Sequence, residues 1–462
     1  MRGTTAATRS LLSGPPSGRG GTSSTFALLA SVIGFFVITL DALIVNVALP
    51  TIGDDLGGGM AGLQWVVDGY TLMLAALLLS AGAVSDRIGA RQAYGLGLAV
   101  FLVASAACGF APSLPTLVAA RFVQGAGAAV MMPATLAMLR EAFPDAGART
   151  RALALWAVGG SVGSAAGPVL GGALNQVSWR WIFFINVPVG IVALLLLARV
   201  ARSPRRSIPL DWIGQVTAVV AMGGLTYGLI EGGEYGFGRP EVLIAFALAA
   251  VALVVFVADQ AKSAHPMLPL SFFRSRIVVA CLTAGFALNI GFYGLTFLLS
   301  LYFQDQRGLT ALQTGFAFLP MTLATGVVSL VSASAVRRFG AKPVMIGGQA
   351  LMALGLLLLC ALSASAPLGL VIILMIPVSC GGALAVPAMT GLTLESVPAE
   401  QAGLASGALN TFRQFGGALA VAIFGALIAG GSFYSGMRVS LVLGAVLLAL
   451  TAGIGLLRPT RR

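Results

Sequence analysis

The sequence predicts an all-α integral membrane protein, with two six-helix bundles, two extra central helices and fourteen transmembrane helices in all. Three observations carry that prediction. Of 462 residues, 58% are hydrophobic and only 9% charged, with a mean hydropathy of +0.96. A soluble chain of this length could not solvate such a surface. Apolar runs long enough to cross about 30 Å of hydrocarbon recur fourteen times. Two short patterns also return 251 and 254 residues downstream. The runs are continuous rather than alternating, which argues against a transmembrane β-barrel.

In chain order, residues 1–25 are polar, rich in Gly, Ser and Thr, and carry Arg2, Arg9 and Arg19; they are expected to form a disordered cytoplasmic tail. The first apolar run is longer than a signal-peptide core and holds Asp41 and Asn46, so it is expected to remain uncleaved. Spans are expected near residues 26–52, 64–84, 93–111, 114–139, 152–174, 181–200, 209–231, 240–260, 277–303, 311–335, 342–364, 367–393, 403–429 and 438–457.

Charge sets the orientation. Of 27 Lys and Arg, 21 fall in the tails and alternate loops on one side, and four (Arg180, Arg239, Arg307, Arg438) on the other. Arg121 and Arg413 lie within spans. This asymmetry predicts a plasma-membrane protein with both termini cytoplasmic. It also explains the net charge of +12 without nucleic acid, because the basic residues sit in short loops between spans. The four cysteines (108, 281, 360, 380) lie in apolar runs with no CxxC spacing and read as packing residues. With one histidine, His265, in a loop, neither a metal site, a cofactor nor an enzyme is expected.

The repeats define the halves. Asp86-Arg-Ile-Gly-Ala-Arg91 is echoed by Arg337-Arg-Phe-Gly-Ala-Lys342, and Gly127-Ala-Ala-Val-Met-Met-Pro133 by Gly381-Gly-Ala-Leu-Ala-Val-Pro387. Both echoes keep their membrane orientation, so the halves are parallel repeats. The offset equals eight spans. The expected division is therefore a bundle at 26–200, a two-helix insertion at 201–275, a bundle at 276–458 and a short tail at 459–462.

Several polar residues are costly at membrane depth. Asp41, about mid-span in the first helix, must be protonated, partnered or in a water-filled cavity; it is the candidate proton site, with Asn46 or a helix-5 carbonyl as a packing partner. Asp68, about one turn into the second helix, is either a second proton or cation site or a solvated vestibule residue. Arg121, midway along the fourth, needs carboxylate or carbonyl partners, and Gln124 can extend that network. Asp86, Arg87, Gly89 and Arg91 form a tight inner turn in which an acid beside a base can latch onto a helix end. Glycines 159, 163, 167 and 171 recur every fourth residue, and Pro168 and Gly172 join them; the smooth stripe reads as a rocking surface. Asn289, Phe292, Tyr293, Gln304, Gln313, Phe318 and Met321 make an adaptable wall for mixed ligands, and Asn46 and Gln124 join Asn289, Tyr293 and Gln313 as candidate substrate-binding residues. Arg413 reads as a snorkelling residue, and Asp211, Asp259, Glu231 and Glu395 as solvated span ends.

The motifs resemble those of the fourteen-span drug:proton antiporter branch of the major facilitator superfamily along nearly the whole chain. The matching stretches are Leu40-Asp-Ala-Leu-Ile-Val-Asn-Val-Ala-Leu-Pro50, Gly82-Ala-Val-Ser-Asp-Arg-Ile-Gly-Ala-Arg91 and Leu117-x3-Arg121-x2-Gln124-Gly125-x-Gly127. The glycine stretch 159–172 and Trp179-Arg-Trp-Ile-Phe-Phe-Ile-Asn-Val-Pro188 complete them. Ala90 stands where a base is usual, and Arg337 where the second copy would carry an acid. The resemblance implies the major facilitator fold, proton transfer at Arg121, gating by the inner loop and the glycine stripe, and a monomer.

The function expected is a proton-coupled exporter of small amphipathic or cationic drugs and antibiotics, working by alternating access in the lipid bilayer. A dedicated exporter of one natural-product antibiotic is the alternative, and an uptake carrier is further removed. No Gly-Lys-Ser/Thr phosphate loop supports ATP drive.

Overall fold

The computed structural model describes residues 20–205, 209–361, 365–398 and 401–456. The first bundle comprises α1 (Gly20–Leu56), α2 (Gly59–Ile88), α3 (Ala90–Gly109), α4 (Leu114–Ala142), α5 (Ala146–Asn175), α6 (Trp181–Phe184) and α7 (Asn186–Leu197). Two further helices follow, α8 (Trp212–Tyr235) and α9 (Pro240–Lys262). The second bundle holds α10 (Arg276–Leu301), α11 (Ala311–Phe339), α12 (Ala341–Cys360), α13 (Leu368–Glu395), α14 (Ala402–Ala429) and α15 (Phe433–Leu456).

Thirteen of these elements are long and apolar enough to cross a membrane among the described residues, α10 running on into the π turn Tyr302–Gln306. The sixth expected span is the shorter apolar stretch Trp181–Leu197, in which Ile185, itself with helical dihedrals (φ −60°, ψ −28°), joins α6 to α7. Pro188 lies in the first turn of α7, where its missing amide proton is tolerated. Residues 1–19 of the expected tail, and 457–462, lie outside the described residues. The helix nevertheless begins at Gly20, within the stretch read as tail.

The internal repeat is visible as duplicated packing. Helices α1 and α5 pair as α10 and α14 do, α3 and α4 as α12 and α13, and α2 and α4 as α11 and α13. One close approach recurs in detail. A Cβ on Gly97 would lie 2.9 Å from the Gly127 carbonyl oxygen, and one on Gly348 would lie 2.5 Å from that of Gly381. Side chains would push these helices apart, so glycine is required in both copies.

The bundles meet where α2 faces α14 and α5 faces α11, and α8 packs against both α2 and α14. Among the described residues, Gln64, Ser300 and Gln304 bond across the bundle seam in the half that carries the α1–α2 turn. Gln64 Nε2 donates to the carbonyls of Val421 (2.9 Å) and Ala422 (2.8 Å), Ser300 Oγ to that of Asn46, and Gln304 Nε2 to that of Val47 (3.0 Å). At the other end, Leu79 lies against Gly407 and the Arg140 guanidinium near Gly403.

Asp211, read as solvated, instead caps α8. Its carboxylate accepts from Gly214 N (2.8 Å), Gln260 Nε2 (2.6 Å) and Met267 N (3.2 Å). Burial alone would push its pKa up, but these donors outweigh it and hold the group below the usual carboxylate range.

Candidate functional site: a buried charge network in the first bundle

Helix α1 supplies Asp41, α4 supplies Arg121 and Gln124 one turn apart, and α7 opens with Asn186. All four are buried. Arg121 Nη1 pairs with Asp41 Oδ2 and donates to Gln124 Oε1 at 2.8 Å, while its Nε donates to the Val66 carbonyl at 2.9 Å. Gln124 Nε2 and Asn186 Nδ2 each donate to Asp41 Oδ1 at 2.8 Å. Asn186 also donates to Ser105 Oγ at 3.0 Å, and Ser105 to the Phe183 carbonyl at 2.8 Å. The Tyr70 ring lies 4.5 Å from the guanidinium carbon. A guanidinium at this depth is tolerated only with such compensation, since one unpaired partner costs about 3–5 kcal/mol.

Arg121 thus has both kinds of partner that the sequence demanded. The partners of Asp41 differ from expectation. Asn46 turns back on its own helix, donating to the carbonyls of Ala42 (3.3 Å) and Leu43 (3.4 Å). Besides Gln124, the amide beside Asp41 belongs to Asn186, the first residue of α7. Its sequence signal was an isolated amide in the apolar run Trp-Ile-Phe-Phe-Ile-Asn-Val-Pro.

Asp68 is not in a solvated vestibule. It lies nine residues into α2 and is buried, with Oδ1 accepting from Thr71 Oγ1 at 3.1 Å and Oδ2 left without a partner among the described residues. It follows Gln64 by one turn, on the face that Gln64 presents to α14.

The inner-loop residues separate into two groups. Gly89 has φ +95°, and a Cβ there would meet the Ser203 carbonyl oxygen at 2.8 Å. Arg91 donates its backbone N–H to Ser203 Oγ (3.0 Å) and its Nε to the Leu197 carbonyl (3.1 Å), and Ser203 Oγ donates to Glu141. This clasp holds the chain leaving α7 against the loop. Asp86 and Arg87 are exposed and have no bonding partner among the described residues, so the expected acid–base latch is not engaged here.

The glycine stripe faces α1 of its own bundle. Gly167 would place a Cβ 3.1 Å from that of Leu43, Gly171 one 2.7 Å from the Ile44 carbonyl oxygen, and Gly163 abuts the Phe36 carbonyl and Thr39. The seam to α11 is lined instead by Pro168, whose carbonyl abuts Gly315, and by Gly172, whose Cβ would meet the Ala311 carbonyl oxygen at 2.5 Å.

In the second bundle Asn289 is buried and donates to Gln414 Oε1 at 3.3 Å. Arg413 does not snorkel: Nε donates to Asn289 Oδ1 (3.4 Å) and Nη1 to Asn410 Oδ1 (3.3 Å). Tyr293 packs on Gly417 and against the hydrophobic core of the first bundle, placing it at the seam. Gln313 does not join this group. It is exposed at the start of α11, where Thr310 and Gln313 form a reciprocal capping box at 2.9 and 3.2 Å.

The chain is 37% identical over 412 residues to the methylenomycin A resistance protein of Bacillus subtilis, covering 88% of each. It is 37% identical over 405 residues to the multidrug resistance protein Stp of Mycobacterium tuberculosis (87% of this chain, 75% of that protein). To the tetracenomycin C resistance and export protein of Streptomyces glaucescens it is 35% identical over 406 residues, with the same two shares. Among solved structures, a POT family transporter in complex with 5-aminolevulinic acid superposes with TM-score 0.69 (14% identity, 93% of this chain, 95% of that one). A D-xylose-proton symporter gives 0.65 (14% identity, 92% and 97%). These two show the fold. The family model described as Major Facilitator Superfamily matches residues 31–421 and 321–462, and with duplicated bundles, a buried charge network and relatives of this closeness, the chain belongs to that superfamily.

Proposed function

We propose that the chain is a proton-coupled exporter of small amphipathic or cationic drugs and antibiotics in the plasma membrane, with both termini cytoplasmic. The observation that carries the reading is the buried Asp41–Arg121 pair with Gln124 and Asn186 around it. A carboxylate held by three donors inside a bilayer exchanges a proton only as those donors rearrange, which ties its charge to helix position. Exposed to the outside, Asp41 takes a proton and loosens its hold on Arg121. Exposed to the inside with cargo bound, it releases the proton and the network closes as seen here. The gradient supplies about 1.4 kcal/mol per pH unit and about 2.3 kcal/mol per charge per 100 mV. Asp68, with one oxygen free at the α2–α14 seam, is a second proton or cation site. Gln64, Ser300 and Gln304 hold the outer half closed, and Asp86 engages a helix end when the inner half closes. Asn289 and Tyr293 line the cargo path at the seam.

The methylenomycin and tetracenomycin relatives favour a second reading, an exporter dedicated to one antibiotic. Inverted membrane vesicles test both. Uptake of a lipophilic cation such as ethidium on imposing an inside-acid gradient supports proton-coupled export, and uptake that survives collapse of both pH and voltage differences refutes it. A panel of unrelated compounds then separates broad from dedicated export.

A further inference from the structure

A cleft of about 360 Å³ lies outside the charge network, between α2 and α4 on one side and α8 and α9 on the other. Its volume is in the range of small-molecule sites. It runs along α2 from Trp65 to Ala76, roughly 16 Å at 1.5 Å per residue. Three aromatic rings line it: Trp65, with Phe122 5.8 Å and Tyr227 6.1 Å away between ring centroids. The exposed Val220, Tyr227 and Leu248 leave it open sideways at membrane depth. Among the described residues, no lysine or arginine lines it. One turn beyond Tyr227 on the same face of α8 stands Glu231, half-buried, accepting from Trp65 Nε1 at 2.8 Å and paired with no cation among the described residues.

We propose that this cleft is a peripheral binding site for lipophilic organic cations drawn from the bilayer, with the charged head at Glu231 and the apolar body among Trp65, Phe122 and Tyr227. A lipid acyl chain would satisfy the apolar walls but leave the carboxylate without a counter-ion. A lipophilic cation satisfies both, and the aromatic faces add cation–π attraction. The cation class rests on the export reading above. The site itself does not, because binding is read without a gradient.

The test uses the full chain in nanodiscs and the photoreactive cation ethidium monoazide, with labelled positions located by peptide mapping. Label is expected on α2 or α8 within the cleft and should be blocked by excess tetraphenylphosphonium but not by dioleoylglycerol. Glu231→Gln keeps an acceptor for Trp65 and so preserves the fold while removing the charge; it should cut cleft labelling at least fivefold. Glu234→Gln, an exposed neighbour, should leave it unchanged. Absence of label from the cleft overturns the proposal. So does labelling that Glu231→Gln leaves intact, or displacement by dioleoylglycerol, which would make the cleft a lipid-chain groove.

Discussion

Asp41→Asn removes one negative charge from a pocket into which three donors converge. The asparagine keeps one acceptor oxygen and turns a second pair of N–H donors toward Arg121 or toward the amides of Gln124 and Asn186. Where the NH2 faces Arg121, the guanidinium keeps only the Val66 carbonyl and Gln124 as acceptors; where it faces the amides, Arg121 keeps a neutral acceptor in place of a carboxylate. At an effective dielectric near 20, the lost attraction at contact distance is about 4 kcal/mol, in line with the 3–5 kcal/mol lost on breaking a buried pair. The expected result is loss of gradient-driven export in proteoliposomes, at least a hundredfold, with a lowered melting temperature. Since instability alone could stop export, the pair Asp41→Asn with Arg121→Gln is the control. It removes both charges, so it should recover much of the melting temperature while export stays lost. Gradient-driven export at the parent rate by Asp41→Asn would refute the proton-site assignment.

Asn186→Ala removes one donor from Asp41 and should cost about 1.5–3 kcal/mol, the range for a hydrogen bond to a charged group, visible as a lower melting temperature and slower export. Gly172→Leu puts a side chain against the Ala311 carbonyl at the bundle seam and should slow cargo turnover more than it lowers the melting temperature; the opposite ranking would place Gly172 in static packing. Asp211→Asn tests a pH effect. A carboxylate held below its ordinary value of 3.8 contributes stability above that pH and loses it as pH falls through the lowered value. The variant should therefore melt below the parent at neutral pH and converge with it in strong acid, and a constant gap would refute the argument.

What the sequence disclosed followed from one-dimensional signals with strong physics behind them. Span length, the return of two motifs and the expense of Arg121 and Asp41 at mid-bilayer were all legible, because hydrocarbon gives such residues few alternatives. What it concealed depended on three-dimensional direction. Asn186 lies 145 positions from Asp41 and shares no local spacing with it, so nothing in the linear chain announces that the two meet. The stripe from Gly159 to Gly171 told that a helix would come close, and could not say that the neighbour is α1 rather than the opposite bundle. The vestibule alternative for Asp68 follows from an apolar run that begins at residue 64, whereas α2 itself begins five residues earlier at Gly59. Arg413 reads as a snorkelling residue because the amides of Asn289 and Asn410 are unremarkable in the linear chain. Gln313 could have been read correctly, since Thr310-Ala-Leu-Gln313 spells a capping box.

The attachment of α8 is unequal. It is fastened to α2 by three hydrogen bonds, Trp65 to Glu231 (2.8 Å), Ala61 N to Glu234 (3.3 Å) and Gln215 to the Ala76 carbonyl (3.0 Å), whereas toward α14 it offers close packing, Gly233 on Ala426 and Ile230 near Ala422. Directional bonds resist shear and smooth apolar contacts do not. In the proposed alternating-access cycle the α8–α9 hairpin is therefore a passenger on the first bundle, gliding over the second like a sliding cover, and any compound lodged beneath it travels with the bundle proposed to carry the proton.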